Sequence, residues 1–281
     1  KAVEKIRLNV SESGIRLLAA YARNGREAVN MMQIAAGLAI TENREKILDK
    51  DIEWVIHSSQ MAPRYEKKIG SAPAVGVVNG LAVYGPNTGA LLEIEVTALP
   101  AKGKGSINVT GIVEEESIGS PEKSVRRKSM ARGSAENVIT VLRAMGVPAD
   151  RYDIHVNFPG GVPVDGPSAG VAIAVGIYSA IYQLPVDHTV AMTGEISIHG
   201  YVKPVGGVFA KIKAAKQAGA KKVIIPIENM QSLLREVSGI QIIAVRRLEE
   251  ALIHVFGEET LRRGTAFLPA AAADRSGKKL V

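Results

Sequence analysis

The sequence contains no cysteine among its 281 residues. This absence excludes a disulfide framework, a thiol nucleophile and a cysteine-based zinc site, and it suits a reducing cytosol. Aromatic residues are scarce, at 4%, and lysines and arginines are interspersed with acidic residues. A nucleic-acid-binding domain usually clusters its positive charge and uses aromatic side chains. The net charge of +7 is therefore the one observation in favour of such a role.

Long hydrophobic segments are also missing. The first residues lack the apolar stretch of a signal peptide, and the longest apolar run, Val171–Tyr182, is shorter than the about 20 residues that span a bilayer. We therefore expect a cytoplasmic protein that does not contact membranes. With 46% hydrophobic and 22% charged residues, the composition is that of a globular protein of one or two domains.

The pattern of hydrophobic residues changes once along the chain. From about Ser11 to Ser58 the apolar residues have helical spacing, whereas from Ser71 onward period-two segments and turns alternate with helical ones as far as Phe256. This order predicts an α+β protein, with a small all-helical domain followed by a mixed α/β domain. The expected boundaries are an all-helical domain at 1–62, a linker at 63–74, the α/β domain at 75–262 and a flexible tail at 263–281.

Ser168 lies where a strand-like segment, Ile154–Val156, and a Gly/Pro turn give way to a long apolar helix. A hydroxyl at a helix start is surrounded by free backbone N–H groups and the positive end of the helix dipole. These groups can stabilise the negative charge that develops on a carbonyl oxygen under attack. We therefore expect Ser168 to be a nucleophile, with the backbone at Pro167, Ser168 and Ala169 as the oxyanion site.

A nucleophilic serine needs a base, and Lys211 is the candidate. At about 100° per residue, Lys211 shares the apolar face of its helix with Val208, Ala214, Ala215 and Ala218. Two other lysines of this helix, Lys213 and Lys216, lie on the opposite side. The pKa of a lysine must fall from about 10.4 to about 7 before its amine can act as a base near neutral pH, and burial can lower the pKa by this amount. The alternative is a lysine that extends along the edge of the apolar face to solvent.

Several stretches have, in their order and spacing, the pattern of a known family. They are Asp153–Val156, Asp165–Gly170, Ala191–Ile196, Pro204–Val208 leading to Lys211, and Val223–Asn229. In this combination, the chain resembles the proteolytic domain of Lon proteases, which are Ser/Lys-dyad enzymes of the AAA+ protease class. Thr110–Glu114 and Ser117–Ser120 make it more similar to B-type Lon than to A-type.

The resemblance implies a role for each matching residue. Ser168 would be the nucleophile, Lys211 its general base and Thr193 a hydroxyl that supports the lysine. The residues that would line or brace the site are Asp165, Glu95, His155 and Glu195. The chain departs from the family at Asn157, where many Lon proteases have a second histidine.

The resemblance also implies a fold, a cofactor and partners. The second domain would have the ribosomal protein S5 domain 2-like fold, and residues 1–60 would be the helical lid of an AAA+ module, with Arg26 reaching the nucleotide. The full-length enzyme would use ATP, although the motif Gly-x-x-x-x-Gly-Lys-[Ser/Thr] is absent from this sequence. The peptidase chemistry would need no cofactor or metal. Unfolded proteins would be the substrates of a hexamer, and weak DNA binding is left open.

Two other functions fit part of the pattern. Gly166–Gly170 also fits the G-x-S-x-G turn of α/β-hydrolases, for which Asp187 and His254 would complete a Ser/His/Asp triad. Alternatively, the protein could be a basic, non-catalytic module for assembly or DNA binding, in which the serine motif is structural.

Overall fold

The chain divides into two compact units, Lys1–Glu66 and Lys67–Val281. Its structure, a computed structural model, describes residues 8–22, 25–61, 68–84, 88–111, 117–118, 125–126, 130–159, 167–235 and 237–264. Outside these residues lie 265–281 of the predicted tail, 63–67 of the predicted linker, and Asp165.

The helices and strands are numbered in chain order. The helices are α1 (Glu12–Tyr21), α2 (Gly25–Thr41), α3 (Asp49–Ser58), α4 (Met130–Ala144), α5 (Gly170–Tyr182), α6 (Val208–Gln217), α7 (Ser232–Arg235), α8 (Leu248–Phe256) and α9 (Glu258–Gly264). The strands are β1 (Asn9–Val10), β2 (Lys46–Ile47), β3 (Ala74–Val75), β4 (Val77–Tyr84), β5 (Thr88–Pro100), β6 (Ile107–Thr110), β7 (Ser117–Ile118), β8 (Val125–Arg126), β9 (Tyr152–Asn157), β10 (Pro185–Val186), β11 (Val190–Met192), β12 (Glu195–Ile196), β13 (Val202–Lys203), β14 (Lys222–Pro226) and β15 (Gln241–Val245).

The first unit packs α1, α2 and α3 around an apolar core. Ser11 caps α1, because its hydroxyl accepts a hydrogen bond from the Gly14 N–H at 3.0 Å. The carboxylate of Asp51, at the start of α3, is buried and receives two hydrogen bonds of 2.8 Å from Arg44. The helical prediction is confirmed, although the short parallel pair β1–β2 was not predicted.

The second unit is built on a mixed sheet of seven strands in the order β15-β14-β11-β4-β5-β9-β6. All neighbouring pairs are parallel except those of β5, which is antiparallel to β4 and to β9. The mixed α/β prediction is therefore confirmed. Strand β4 is continuous through Asn79. The Asn79 amide donates to the His188 and Val190 carbonyls, so a polar residue is accommodated within a buried strand.

Helices cover both faces of this sheet. Neighbouring strand residues such as Leu91 and Leu92 belong to different core clusters, because side chains alternate between the faces of a strand. Helices α4, α5 and α8 pack on one face and α6 on the other. The apolar run that forms α5 is buried on all sides from Gly170 to Ile181, as a core helix should be. Among the described residues, no helix combines the length and the apolar character needed to cross a membrane.

This arrangement brings α5 and α6 together from opposite faces. The N-terminus of α5 follows the turn that carries Ser168, and α6 carries Lys211. Thr193 comes directly after β11, and its hydroxyl is hydrogen-bonded to the Ser168 carbonyl and to the Lys211 amine. The candidate site therefore lies at the carboxyl end of β11, where ligand sites of open α/β sheets are commonly found.

Candidate active site

Ser168 lies on a short 3-10 turn, Pro167–Ala169, that leads into α5. Its carbonyl oxygen accepts two hydrogen bonds from the segment after β11, at 2.9 Å from the Gly194 N–H and at 3.2 Å from the Thr193 hydroxyl. In return, the Val171 N–H donates to the Gly194 carbonyl at 3.0 Å. The turn that carries the serine is thus fixed to the end of β11 on both sides.

Lys211 is buried, with 2% of its surface exposed, whereas Lys213 and Lys216 on the same helix are exposed. The predicted buried face of α6 is confirmed. Burial lowers the pKa of Lys211 from 10.5 to about 8, because the charged form loses its hydration. With that pKa, about a tenth of the amines would be neutral at pH 7. Such a lysine can accept a proton near neutral pH.

Thr193 links the lysine to the serine turn. The Lys211 ammonium donates to the Thr193 hydroxyl at 3.0 Å, and this hydroxyl donates in turn to the Ser168 carbonyl. Thr193 is fully buried, so the chain of hydrogen bonds is shielded from water. In the described part of the protein, no direct hydrogen bond joins the Ser168 and Lys211 side chains, and such bonds often tighten only when substrate binds.

Two glycines let α6 approach the β4–β5 hairpin. A Cβ on Gly89 would lie 2.1 Å from the Ala210 carbonyl oxygen and 2.9 Å from the backbone nitrogen of Lys211. Gly207, just before α6, has a φ of +66°, and a Cβ there would lie 2.6 Å from Val83. Both glycines therefore set the position of Lys211. Sequence reasoning missed Gly89, because its partner is distant in the chain.

Glu95 and His155 belong to a second, exposed network on strands β5, β6 and β9. The Thr110 hydroxyl donates to the side-chain oxygen of Asn157, Oδ1, at 2.9 Å, and the side-chain amide nitrogen of Asn157 donates to the Glu95 carboxylate at 2.9 Å. His155 Nε2 lies 2.8 Å from the Thr110 hydroxyl and acts as the donor, since the hydroxyl proton is already used. Asn157, which departs from the family pattern, is thus the residue that connects Glu95 to the rest.

The other predicted site residues have different outcomes. Glu195 is half-buried on β12, directly after Gly194. Pro167 was included in the predicted oxyanion site, and this is wrong, because proline has no backbone N–H to donate. Its carbonyl instead accepts a hydrogen bond from Ser134. Ser134 was missed, although a serine one turn before Val138 on the apolar face of α4 is a visible signal.

The alternative Ser/His/Asp triad does not assemble. Asp187 precedes β11, whereas Ser168 contacts the segment after it, so the two lie at opposite ends of that strand. The Asp187 carboxylate accepts two hydrogen bonds from Thr189, and His254 is exposed near the end of α8. The structure therefore does not support an α/β-hydrolase triad.

The mixed α/β unit thus holds a buried lysine that is hydrogen-bonded, through Thr193, to the turn that carries Ser168. Comparison with known families is more specific, since residues 46–258 match the Lon protease (S16) C-terminal proteolytic domain. This match covers more than half of the chain. The chain therefore belongs to the Lon protease family, and the resemblance seen in the sequence is confirmed.

Individual relatives agree with this assignment. Lon protease 2 of Bacillus subtilis is 67% identical over 251 residues, which are 89% of this chain and 46% of that protein. Archaeal Lon protease of Archaeoglobus fulgidus is 36% identical, over 82% of this chain and 35% of the relative. Lon protease of Syntrophomonas wolfei is 35% identical, over 85% and 29%. The first of these supports the B-type assignment, and the chain spans less than half the length of each relative.

Proposed function

We propose that the chain is the peptidase part of an ATP-dependent serine endopeptidase, with Ser168 as nucleophile and Lys211 as general base. The observation that carries this proposal is the buried Lys211 amine, whose pKa is lowered to about 8 and which is hydrogen-bonded through Thr193 to the turn of Ser168. Membership of the Lon protease family supports the same chemistry.

The proposed reaction has two halves. The Ser168 hydroxyl oxygen attacks the carbonyl carbon of a peptide bond while the neutral Lys211 amine takes its proton. The backbone N–H groups of Ser168 and Ala169 stabilise the oxyanion of the tetrahedral intermediate. When this intermediate collapses, the C–N bond breaks and Lys211 returns the proton to the leaving amine. Water, activated by the same lysine, then hydrolyses the ester at Ser168 and frees the enzyme.

We also propose a role for the first unit, a fold for the second, and the substrates, assembly and location of the enzyme. The three-helix first unit and its exposed Arg26, in the first turn of α2, fit the lid of an AAA+ module that binds ATP. The second unit, with its seven-stranded sheet, fits the ribosomal protein S5 domain 2-like fold. We further infer unfolded proteins as substrates, a hexameric ring and a cytoplasmic location, for which the lack of cysteine is support. The chain alone should cleave unstructured peptides slowly.

Covalent labelling tests the proposal. A fluorophosphonate probe should react with the Ser168 hydroxyl, and mass spectrometry of the digested chain should place the adduct on the peptide that contains Ser168. The variant Ser168→Ala should give no adduct. Ser179→Ala serves as a matched control, because Ser179 is a fully buried serine on α5, the helix that follows the Ser168 turn, and its labelling should equal that of the wild type.

Two outcomes of the labelling would contradict the proposal. One is an adduct that persists at the same rate in Ser168→Ala. The other is a chain that cleaves an unstructured fluorogenic peptide equally well with and without the Ser168 hydroxyl.

Replacing Thr193 with valine should slow peptide cleavage by about tenfold to a hundredfold. Valine has nearly the same shape but cannot accept the hydrogen bond of Lys211 or donate to Ser168, so the base is no longer oriented. The lost bond also stabilised the charged form of Lys211, so the apparent pKa of the pH–rate profile should fall. Steady-state kinetics across pH measures both effects. An unchanged rate and profile would remove Thr193 from the mechanism.

A further inference from the structure

The carbonyl of Pro167 is held by a serine from another helix. Ser134 lies on α4, is 3% exposed, and its hydroxyl lies 3.4 Å from the Pro167 carbonyl oxygen, to which it donates. This distance is longer than the about 2.5–3.0 Å of a usual O–H···O hydrogen bond, so the bond is a weak one. Ser134 also packs closely against the start of α5, since a Cβ on Gly170 would lie 3.1 Å from its hydroxyl oxygen.

The Pro167 carbonyl and the Ser168 N–H belong to one peptide unit. Because that unit is planar and trans, its C=O and N–H point in opposite directions, and a bond that fixes the carbonyl also fixes the N–H. The next peptide unit joins the Ser168 carbonyl to the Ala169 N–H, and its carbonyl is fixed by Gly194 and Thr193. Each of the two N–H groups proposed to hold the oxyanion is therefore aimed by a hydrogen bond on the far side of its own peptide plane.

We propose that Ser134 is a positioning residue for the oxyanion site, acting through the Pro167 carbonyl to aim the Ser168 N–H at the substrate. This inference rests on the proposed function. The two sides of the site are then oriented by different elements. After β11, Thr193 orients the lysine and, together with Gly194, the Ala169 N–H. Ser134, on α4, orients the Ser168 N–H alone.

This division predicts a specific effect of Ser134→Ala. The oxyanion forms only in the transition state, so a less well aimed N–H lowers kcat without changing substrate binding. Loss of an oxyanion donor costs about a hundredfold or more in kcat, and loss of its orientation alone should cost less, about tenfold. KM should stay the same. The pH–rate profile should keep its apparent pKa, because Ser134 does not contact Lys211 or Thr193 through any described hydrogen bond.

The experiment compares three variants on an unstructured fluorogenic peptide and on a peptide boronate, whose tetrahedral adduct with serine resembles the intermediate. Ser134→Ala should lose about tenfold in kcat and about the same factor in boronate affinity. Ser134→Thr keeps the hydroxyl and should recover most of both. Ser179→Ala is the matched control, because Ser179 is a buried helix serine that bonds Gly76 and Leu184 about 16 Å along α5 from the site. It should lower Tm and leave kcat unchanged.

Three results would overturn the inference. They are an unchanged kcat in Ser134→Ala, a fall in kcat that comes with a matching rise in KM or loss of Tm, and a boronate affinity that does not change. Failure of the proposed function is distinguishable, since Ser168→Ala would then retain peptide cleavage and boronate binding whatever happens at Ser134.

Discussion

Replacing Lys211 with methionine should reduce peptide cleavage at least about a thousandfold. Methionine fills a similar volume but has no proton acceptor, so the Ser168 hydroxyl would have to attack while still protonated. The residual rate would come from substrate binding and the oxyanion N–H groups alone. The measurement is kcat/KM for an unstructured fluorogenic peptide, with circular dichroism to confirm that the variant is folded.

The matched control for this substitution lies on the same helix. Lys213 is exposed, two residues after Lys211, so Lys213→Met makes the same chemical change on the opposite face of α6. It should leave kcat/KM within about twofold of the wild type, as surface substitutions usually do. Equal losses in the two variants would show that charge on α6, rather than a base at the site, supports cleavage.

The substitution Lys211→Met should also stabilise the fold at neutral pH. A pKa lowered from 10.5 to about 8 means that the folded state holds the charged amine at a cost of about 3 kcal/mol. Between pH 8 and 10.5 the folded state binds fewer protons than the unfolded one, so this cost disappears as pH rises. Lys211→Met should therefore unfold at a higher denaturant concentration than the wild type at pH 7. This advantage should shrink towards pH 10.5 if Lys211 is charged at neutral pH in the folded protein.

The sequence was sufficient to predict the buried lysine and the serine turn, because both depend on residues that are close together in the chain. Helical periodicity alone distinguishes Lys211 from Lys213, and the turn before α5 is visible in its glycines and prolines. The hydrogen bond of Ser134 to Pro167 and the close approach of Gly89 to Ala210 depend on how distant segments pack. A single sequence carries little trace of such contacts. The hydrogen bonds of Asn157 to Thr110 and Glu95 could not be predicted either, because they form only when β5, β6 and β9 lie side by side.

Peptide cleavage should rise about a hundredfold between pH 6 and pH 9. Only the neutral amine of Lys211 can accept the serine proton, and its pKa of about 8 makes the neutral fraction fall about tenfold for each pH unit below that value. The rate should therefore climb steeply through neutral pH and level off above about pH 9. The measurement is kcat/KM of the fluorogenic peptide at constant ionic strength, because kcat/KM reports the pKa of the free enzyme.

The midpoint of the rise in kcat/KM with pH tests whether Lys211 is the group that titrates. His155 is exposed and hydrogen-bonded to Thr110, away from the hydrogen bond that joins Lys211 to Thr193. A fully solvated lysine would place it near 10.5. The variant His155→Gln should leave a Lys211 midpoint near 8 in place, whereas Thr193→Val should move it to lower pH. A rate that is flat from pH 6 to 9, or a midpoint that moves only in His155→Gln, would mean that Lys211 is not the base.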